Sequence, residues 1–263
     1  MGKKLKLMLL GCGKLSGVIA KALESGLLPE YELVAALSGH NKEKAADFGN
    51  EYHCQVYDNV DDLLNLKPDY IVEAASVQAV KDNGEKILSS GSNLVLLSIG
   101  ALADDSLCQR LKQAAIQGGA RLFIASGAVG GFDILRTAVL MGPIKMSIIS
   151  EKDPQVAANM PLETEGIEDI TAKKTIFTGT ARQAIEKLPS QMNVAIALAL
   201  ASAGPEKTDI EIQAVPGFEG DRYKIQLEGQ QVKTDLNIYS RTSEVAGWSA
   251  VAVLRNIVSP VVF

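Results

Sequence analysis

Leu5-Lys6-Leu7-Met8-Leu9-Leu10-Gly11-Cys12-Gly13-Lys14-Leu15-Ser16-Gly17 is the stretch that decides the fold. A short apolar run passes directly into a glycine-rich turn, and an amphipathic segment follows over Leu15–Ser25. In a strand–turn–helix of this kind the first glycine permits the tight turn and the second lets the backbone approach a pyrophosphate. The third position needs a small residue so that helix and strand pack closely. Ser16 holds that third position, with Gly17 beside it. The helix N-terminus offers free N–H groups and a partial positive charge to phosphates. Gly11, Gly13, Lys14 and Leu15 are therefore the expected phosphate-side residues, and Cys12 reads as a small spacer.

The same alternation continues downstream. Apolar runs at Leu33–Leu37, Tyr70–Val72, Leu94–Leu97 and Leu122–Ile124 are separated by helical patterns over Lys42–Gly49, Val77–Leu88 and Asp104–Gln117. Strands alternating with helices of this length predict βαβ units and a parallel sheet covered on both faces. After about residue 143 the pattern changes. Lys145–Ser150, Thr175–Phe177, Asp209–Ala214, Arg222–Glu228 and Val232–Tyr239 read as strands, with Gly229-Gln230 as a two-residue hairpin turn. Ala181–Lys187, the almost wholly apolar Met192–Ala203 and Glu244–Ile257 read as helices, and Gln155–Thr171 as a loop. The expected fold class is α/β: a Rossmann-type, mainly parallel domain over 1–125, followed by an α+β domain over 126–243 with a mainly antiparallel sheet. The last helix, 244–257, is free to pack back on the first domain.

Composition narrows the chemistry. The 263 residues carry 26 Lys plus Arg and 31 Asp plus Glu, a net charge of −5, which argues against a nucleic-acid or anionic-membrane partner. No apolar run approaches the roughly 20 residues that span a bilayer. Cys12, Cys54 and Cys108 are odd in number and widely spaced, which points to a reducing, cytoplasmic setting and no disulfide framework. Only two histidines are present, His40 and His53, so a polyhistidine metal site is excluded and no metal is expected.

The second strand of a dinucleotide-binding domain ends on Asp or Glu when it reads the ribose 2′-hydroxyl of NAD. Here it runs into Leu37-Ser38-Gly39-His40-Asn41-Lys42, with no carboxylate before Glu43. Ser38, His40, Asn41 and Lys42 are suited to surround a 2′-phosphate, which leans the cofactor toward NADP, or toward use of both NAD and NADP.

The segment Ser126-Gly127-Ala128-Val129-Gly130-Gly131-Phe132-Asp133 resembles a loop of the L-aspartate dehydrogenase family. Glu73-Ala74-Ala75-Ser76, Ser98-Ile99-Gly100-Ala101, Phe177-Thr178-Gly179-Thr180-Ala181, Asn193-Val194-Ala195 and Arg241-Thr242-Ser243 are similar to further family segments, in order along nearly the whole chain. The resemblance implies NAD(P)-dependent oxidation of an amino acid through an imine. It implies cofactor contacts at Ala75, Ser76, Ser98, the Ala128 backbone amide and Asn193. Substrate contacts are implied at Ser126, Gly127, Arg241, Thr242 and Ser243. For Asn193 the alternative is a plain helix cap. The family analogy adds a homodimer and a small amino- or imino-acid partner.

The chain departs from the family where the catalytic histidine belongs. The matching stretch is Ala214-Val215-Pro216-Gly217-Phe218-Glu219-Gly220-Asp221-Arg222-Tyr223, so Val215 replaces an Asp and Tyr223 falls at the histidine position. No histidine follows His53 to substitute. A tyrosine, with an unperturbed pKa of about 10, donates a proton readily and is a poor base at pH 7. Arg222 and Lys224 are its sequence neighbours, but on a strand they point to the opposite face. Arg241 is the first candidate cation for a carboxylate substrate. Arg222 and Lys152 are weaker ones, with Lys152 read as a solvated surface charge. The expectation is an NAD(P)-dependent oxidoreductase of amino or imino acids with Tyr223 at the acid/base position. The alternatives are an imine reductase, a dehydrogenase for another amino acid, or an NAD(P)-binding regulator without catalysis.

Overall fold

The structure, a computed structural model, describes residues 3–39, 41–162, 165–189 and 191–263, and in it the chain divides into two compact units. The first comprises Met1–Gly127 and Ala246–Phe263, and the second Ala128–Val245.

The first unit alternates strand and helix: β1 Leu5–Leu10, α1 Lys14–Glu24, β2 Tyr31–Leu37, α2 Lys42–Glu51, β3 Gln55–Tyr57, α3 Val60–Leu64, β4 Tyr70–Glu73, α4 Val77–Ser89, β5 Asn93–Leu96, α5 Asp105–Gly118 and β6 Leu122–Ile124. The strands form one parallel sheet in the order β3-β2-β1-β4-β5-β6. That is the expected doubly wound arrangement, whose order reverses between β1 and β4 and so opens a crevice at their carboxyl ends. The central strands read as continuous apolar runs because both faces are covered; Leu7, Leu9, Val72 and Val95 are all fully buried. β3 and α3 had no signal in the sequence pattern, being three and five residues long. They are punctuated by Asn59, whose side chain accepts from the Asp61 N–H and caps α3.

The second unit contains α6 Phe132–Met141, β7 Ile144–Lys152, α7 Pro154–Ala158, β8 Lys174–Thr180, α8 Ala181–Lys187, α9 Asn193–Leu200, β9 Thr208–Ala214, β10 Asp221–Gly229 and β11 Lys233–Ser240. Its sheet has the order β11-β10-β7-β9-β8, antiparallel except where β7 meets β9. Strict alternation puts Met146, Ile148, Ile210, Ile212, Ile225 and Leu227 into the core. The hairpin closes one residue later than the sequence reading placed it. The Gly229 N–H donates to the Val232 carbonyl at 2.8 Å, so Gln230-Gln231 is the loop. α7 interrupts a stretch read as loop, at Asp153-Pro154, an N-cap followed by a proline pre-set for the first helical position.

The last helix, α10 Glu244–Val258, contributes Ala250, Val251 and Leu254 to the core of the first unit. The Tyr31 hydroxyl donates to the Leu254 carbonyl at 2.9 Å, across 223 residues of sequence. Gly247 faces α1 so closely that an added Cβ would lie 2.9 Å from Val18 Cβ. No helix among the described residues is long and apolar enough to cross a membrane.

Candidate active site

At the crevice of the first unit, Gly11 takes φ +112°, and a Cβ there would lie 2.9 Å from the Ala74 carbonyl oxygen. Only glycine fits this turn, on steric grounds and on backbone conformation together. Gly13 is the N-cap of α1 and brings no side chain to cap it. The turn borders a cavity of about 490 Å³ that is also lined by Ser38, Asn41, Lys44, Asp58, Ala75 and Ser76. A cradle that a single Cβ would fill, beneath an uncapped helix start at the switch point, fits a dinucleotide pyrophosphate. The Cys12 thiol is pushed up to about 11 by burial and by neighbouring Cys54, so it stays protonated and unreactive at neutral pH. Ser16, in the third fingerprint position, is fully buried, and its hydroxyl has no hydrogen-bond partner among the described residues.

Beside the second strand, Lys44 borders the cavity, whereas Lys42 does not. The Asn41 side chain accepts from the Lys44 N–H at 2.9 Å and so caps α2. His40 lies outside the described residues.

Glu73, which the sequence reading did not single out, organises the loops after β4 and β5. Its carboxylate is fully buried and accepts from the Ala75 N–H, the Ser98 N–H and the Ser98 hydroxyl, each at 2.8 Å. Burial pushes its pKa up, and these donors pull in the opposite direction. Ala75, Ser76 and Ser98 are thereby fixed together, with the Ser76 hydroxyl accepting from the Ala79 N–H to cap α4. The available signal was a carboxylate at the end of a buried parallel strand, where it must find partners. In the glycine-rich loop that follows β6, Ser126, Gly127 and Ala128 are all half-buried, and the Gly127 N–H donates to the Ser249 hydroxyl at 3.0 Å.

In the second unit, Tyr223 on β10 stands opposite Ser150 on β7. Its side chain is buried, with 9% of the residue exposed. Lys152, two residues along β7, reaches the same face. Its ammonium donates to the Tyr223 hydroxyl at 3.3 Å and is ion-paired with the Asp221 carboxylate. With only 14% of its side chain exposed, Lys152 is not the solvated surface charge that its isolated reading gave. Cross-strand register brings it in, and register is invisible in the sequence of one strand. Burial raises the Tyr223 pKa and Lys152 lowers it, with a net upward direction. Asn193 is half-buried at the first position of α9. Met192 occupies the N-cap, so Asn193 is not the helix cap.

The opposite sheet face collects the other charges. Glu151, 1% exposed, accepts from Arg222 at 2.8 Å, Lys224 at 2.7 Å and Lys173 at 3.0 Å. Arg222 and Lys224 thus point away from Tyr223, as strand alternation requires. Arg241, Thr242 and Ser243 are exposed at the end of β11. Gly220, at φ +86°, admits this turn, since a Cβ there would lie 2.2 Å from the Ser240 carbonyl oxygen.

The chain is similar to known proteins along its whole length. Residues 11–125 match the family described as homoserine dehydrogenase, NAD binding domain, and residues 133–257 that described as aspartate dehydrogenase, C-terminal. An L-aspartate dehydrogenase of Methanococcus maripaludis is 33% identical over 266 residues, covering 98% of each chain. L-aspartate dehydrogenase 2 of Bordetella pertussis is 32% identical, covering 91% of this chain and 93% of its own. In fold, the chain is similar to the crystal structure of aspartate dehydrogenase from Thermotoga maritima, with a TM-score of 0.78, 23% identity and full coverage of both chains.

Proposed function

The chain belongs to the L-aspartate dehydrogenase family, and from that premise we propose that it is an NAD(P)-dependent oxidoreductase moving a hydride at the α-carbon of an amino or imino acid. The observation that carries the reading is the Gly11 cradle at the switch point of a parallel sheet, in a chain that aligns with these dehydrogenases from end to end. When bound, the nicotinamide supplies or accepts the hydride. Gly11, Gly13, Lys14 and Leu15 hold its pyrophosphate, and Glu73 keeps Ala75, Ser76 and Ser98 in place around it. Ala128 and Asn193 serve the nicotinamide side, and Ser126, Gly127, Arg241, Thr242 and Ser243 the substrate. Tyr223 exchanges the proton. The small-molecule substrate, a homodimeric assembly and a cytoplasmic setting complete the proposal; the three free cysteines favour a reducing compartment.

The test is the change in nicotinamide absorbance with a panel of amino acids in one direction and of keto acids with ammonium in the other, alongside melting curves with each cofactor. Turnover together with a cofactor-dependent rise in Tm is expected. A Tm rise without turnover on any substrate favours a regulatory NAD(P)-binding protein, a reading that the replacement of histidine by Tyr223 supports. Absence of both overturns the proposal.

NADP is the favoured cofactor, with NAD also used. The second strand lacks a terminal carboxylate, and Ser38, Asn41 and Lys44 border the cavity, although Asp58 does as well. Lys44→Ala is expected to raise KM for NADPH about tenfold, as one charge-assisted contact to phosphate is lost. KM for NADH should stay within about twofold. Equal effects on both cofactors would remove Lys44 from the 2′-phosphate.

A further inference from the structure

We infer that Lys152, anchored by Asp221, is a positioning residue that aims the Tyr223 hydroxyl and refills it with a proton, making the array an acid and setting the reaction toward imine reduction at neutral pH. The inference rests on the oxidoreductase reading above and goes beyond it in assigning direction and a proton route.

The geometry is specific. Lys152 and Ser150 lie on one face of β7, and Asp221 and Tyr223 on the facing side of β10. The ammonium donates to the tyrosine oxygen at 3.3 Å and lies 5.2 Å from the ring centroid. An ammonium has no acceptor site, so it occupies a lone pair of that oxygen and leaves the phenolic proton directed elsewhere. On the remaining side the hydroxyl meets the Ser150 side chain, and Tyr223 and Ser150 together border a small cavity with Met192, Val194 and Ala195. The phenol therefore has one proton to give, with a cation behind it.

Few charges act on this hydroxyl. Among the described residues, those facing it are Lys152 from β7 and Asp221 from β10. β11 sets Ile238 opposite Tyr223, and α9 and β9 present apolar side chains. Burial holds the phenol protonated at neutral pH; it also opposes the Lys152 charge, which is kept by the ion pair with Asp221 and the hydrogen bond to the Tyr223 oxygen. Such a pair is stocked for donation. It becomes a base only at alkaline pH, when the phenol has lost its proton.

The step balances. When bound, the reduced nicotinamide would supply the hydride for the new bond at the imine carbon, and the C=N electron pair would move onto nitrogen. That nitrogen takes the Tyr223 proton, the phenolic O–H bond breaks, and a Lys152 N–H proton restores it. Solvent then reprotonates Lys152. The imine is reduced and the nicotinamide oxidised, each by two electrons.

The test uses the full chain in two arms. In the cofactor-free protein, tyrosinate ultraviolet absorbance is titrated for wild type, Lys152→Met, Lys152→Arg and Asp221→Asn, with Tyr223→Phe in each background isolating the Tyr223 signal. Tyr223 is expected to ionise at least about one pH unit higher in Lys152→Met, and near the wild-type value in Lys152→Arg. In the second arm, Lys152→Met is expected to lose about tenfold in kcat for imine reduction with KM little changed, and to move the alkaline limb of the pH profile upward. An unmoved Tyr223 titration in Lys152→Met overturns the pairing, whatever the activity. A shifted titration with wild-type amino-acid oxidation faster than imine reduction at neutral pH overturns the direction. A shifted titration with no turnover in wild type overturns the functional reading while supporting the pairing.

Discussion

Tyr223→Phe is expected to lower kcat on the chain's own substrate by about 10²- to 10⁴-fold, the range by which one positioned acid accelerates a proton transfer. The substitution removes a single oxygen. The ring keeps its place opposite Ser150, and Lys152 keeps its ion pair with Asp221. The stability cost should therefore be about 1 kcal/mol, that of one hydrogen bond. Cofactor binding, proposed at the other unit's Gly11 turn, should not change. The expected signature is a fall in kcat with KM, cofactor Kd and Tm nearly constant, read from nicotinamide absorbance and melting curves. Unchanged turnover would sink the acid role. Tyr223→His is the complementary change and is expected to bring or raise oxidation of L-aspartate. Beside the Lys152 ammonium an imidazole would be held neutral, the form that accepts a proton.

Glu151→Ala is expected to destabilise the second unit by about 3–5 kcal/mol, the cost of removing one partner from a buried charge cluster. The carboxylate is 1% exposed and satisfied by three cations. Without it, Lys173, Arg222 and Lys224 would face one another across a sheet surface. Urea unfolding monitored by circular dichroism measures the loss, and a change below about 1 kcal/mol would mean that solvent already screens the cluster. Acid gives a second readout. Burial pushes the Glu151 carboxyl up, but hydrogen bonds from Lys224, Lys173 and Arg222 outweigh it and hold the group at about 2, below its ordinary 4.5. A depressed carboxyl pKa stabilises the fold above the unfolded value and ceases to do so as pH falls through the folded value. This contribution should be complete above pH 4.5 and vanish on descent toward about 2. Its size is at most about 3 kcal/mol, reduced because the cations are partly in water. In Glu151→Ala that part of the acid limb should flatten.

Much of the architecture was legible in the sequence because it rests on local periodicity. The apolar run into Gly11 fixed β1, the turn and α1. Alternation after residue 143 gave a mainly antiparallel sheet. The three-residue β3 and five-residue α3 escaped because neither spans two full periods of its pattern, so no repeat shows. The hairpin shift to Gln230-Gln231 is a one-residue error that alternation alone does not correct. The same distinction governs the candidate site. That Arg222 and Lys224 turn away from Tyr223 follows from the two-residue period of one strand. That Lys152 meets Tyr223 depends on pairing between strands 71 residues apart in sequence. Glu73 was missed for a similar reason, since its partner Ser98 lies on a loop 25 residues away.

The return of α10 to the first unit has a consequence for how the molecule is made. Val251 and Leu254 leave the ribosome after every residue of the second unit, yet they fill the core that Leu7 and Leu9 begin. The first unit's sheet and helices must wait through most of translation with Val18 unsheathed, while the intervening segment is free to fold first. Closure over such a separation is slow, and an open apolar face invites chaperones or aggregation. Gly247 then sets the final fit, because the helix that arrives last must settle against Val18 with no side chain of its own between them.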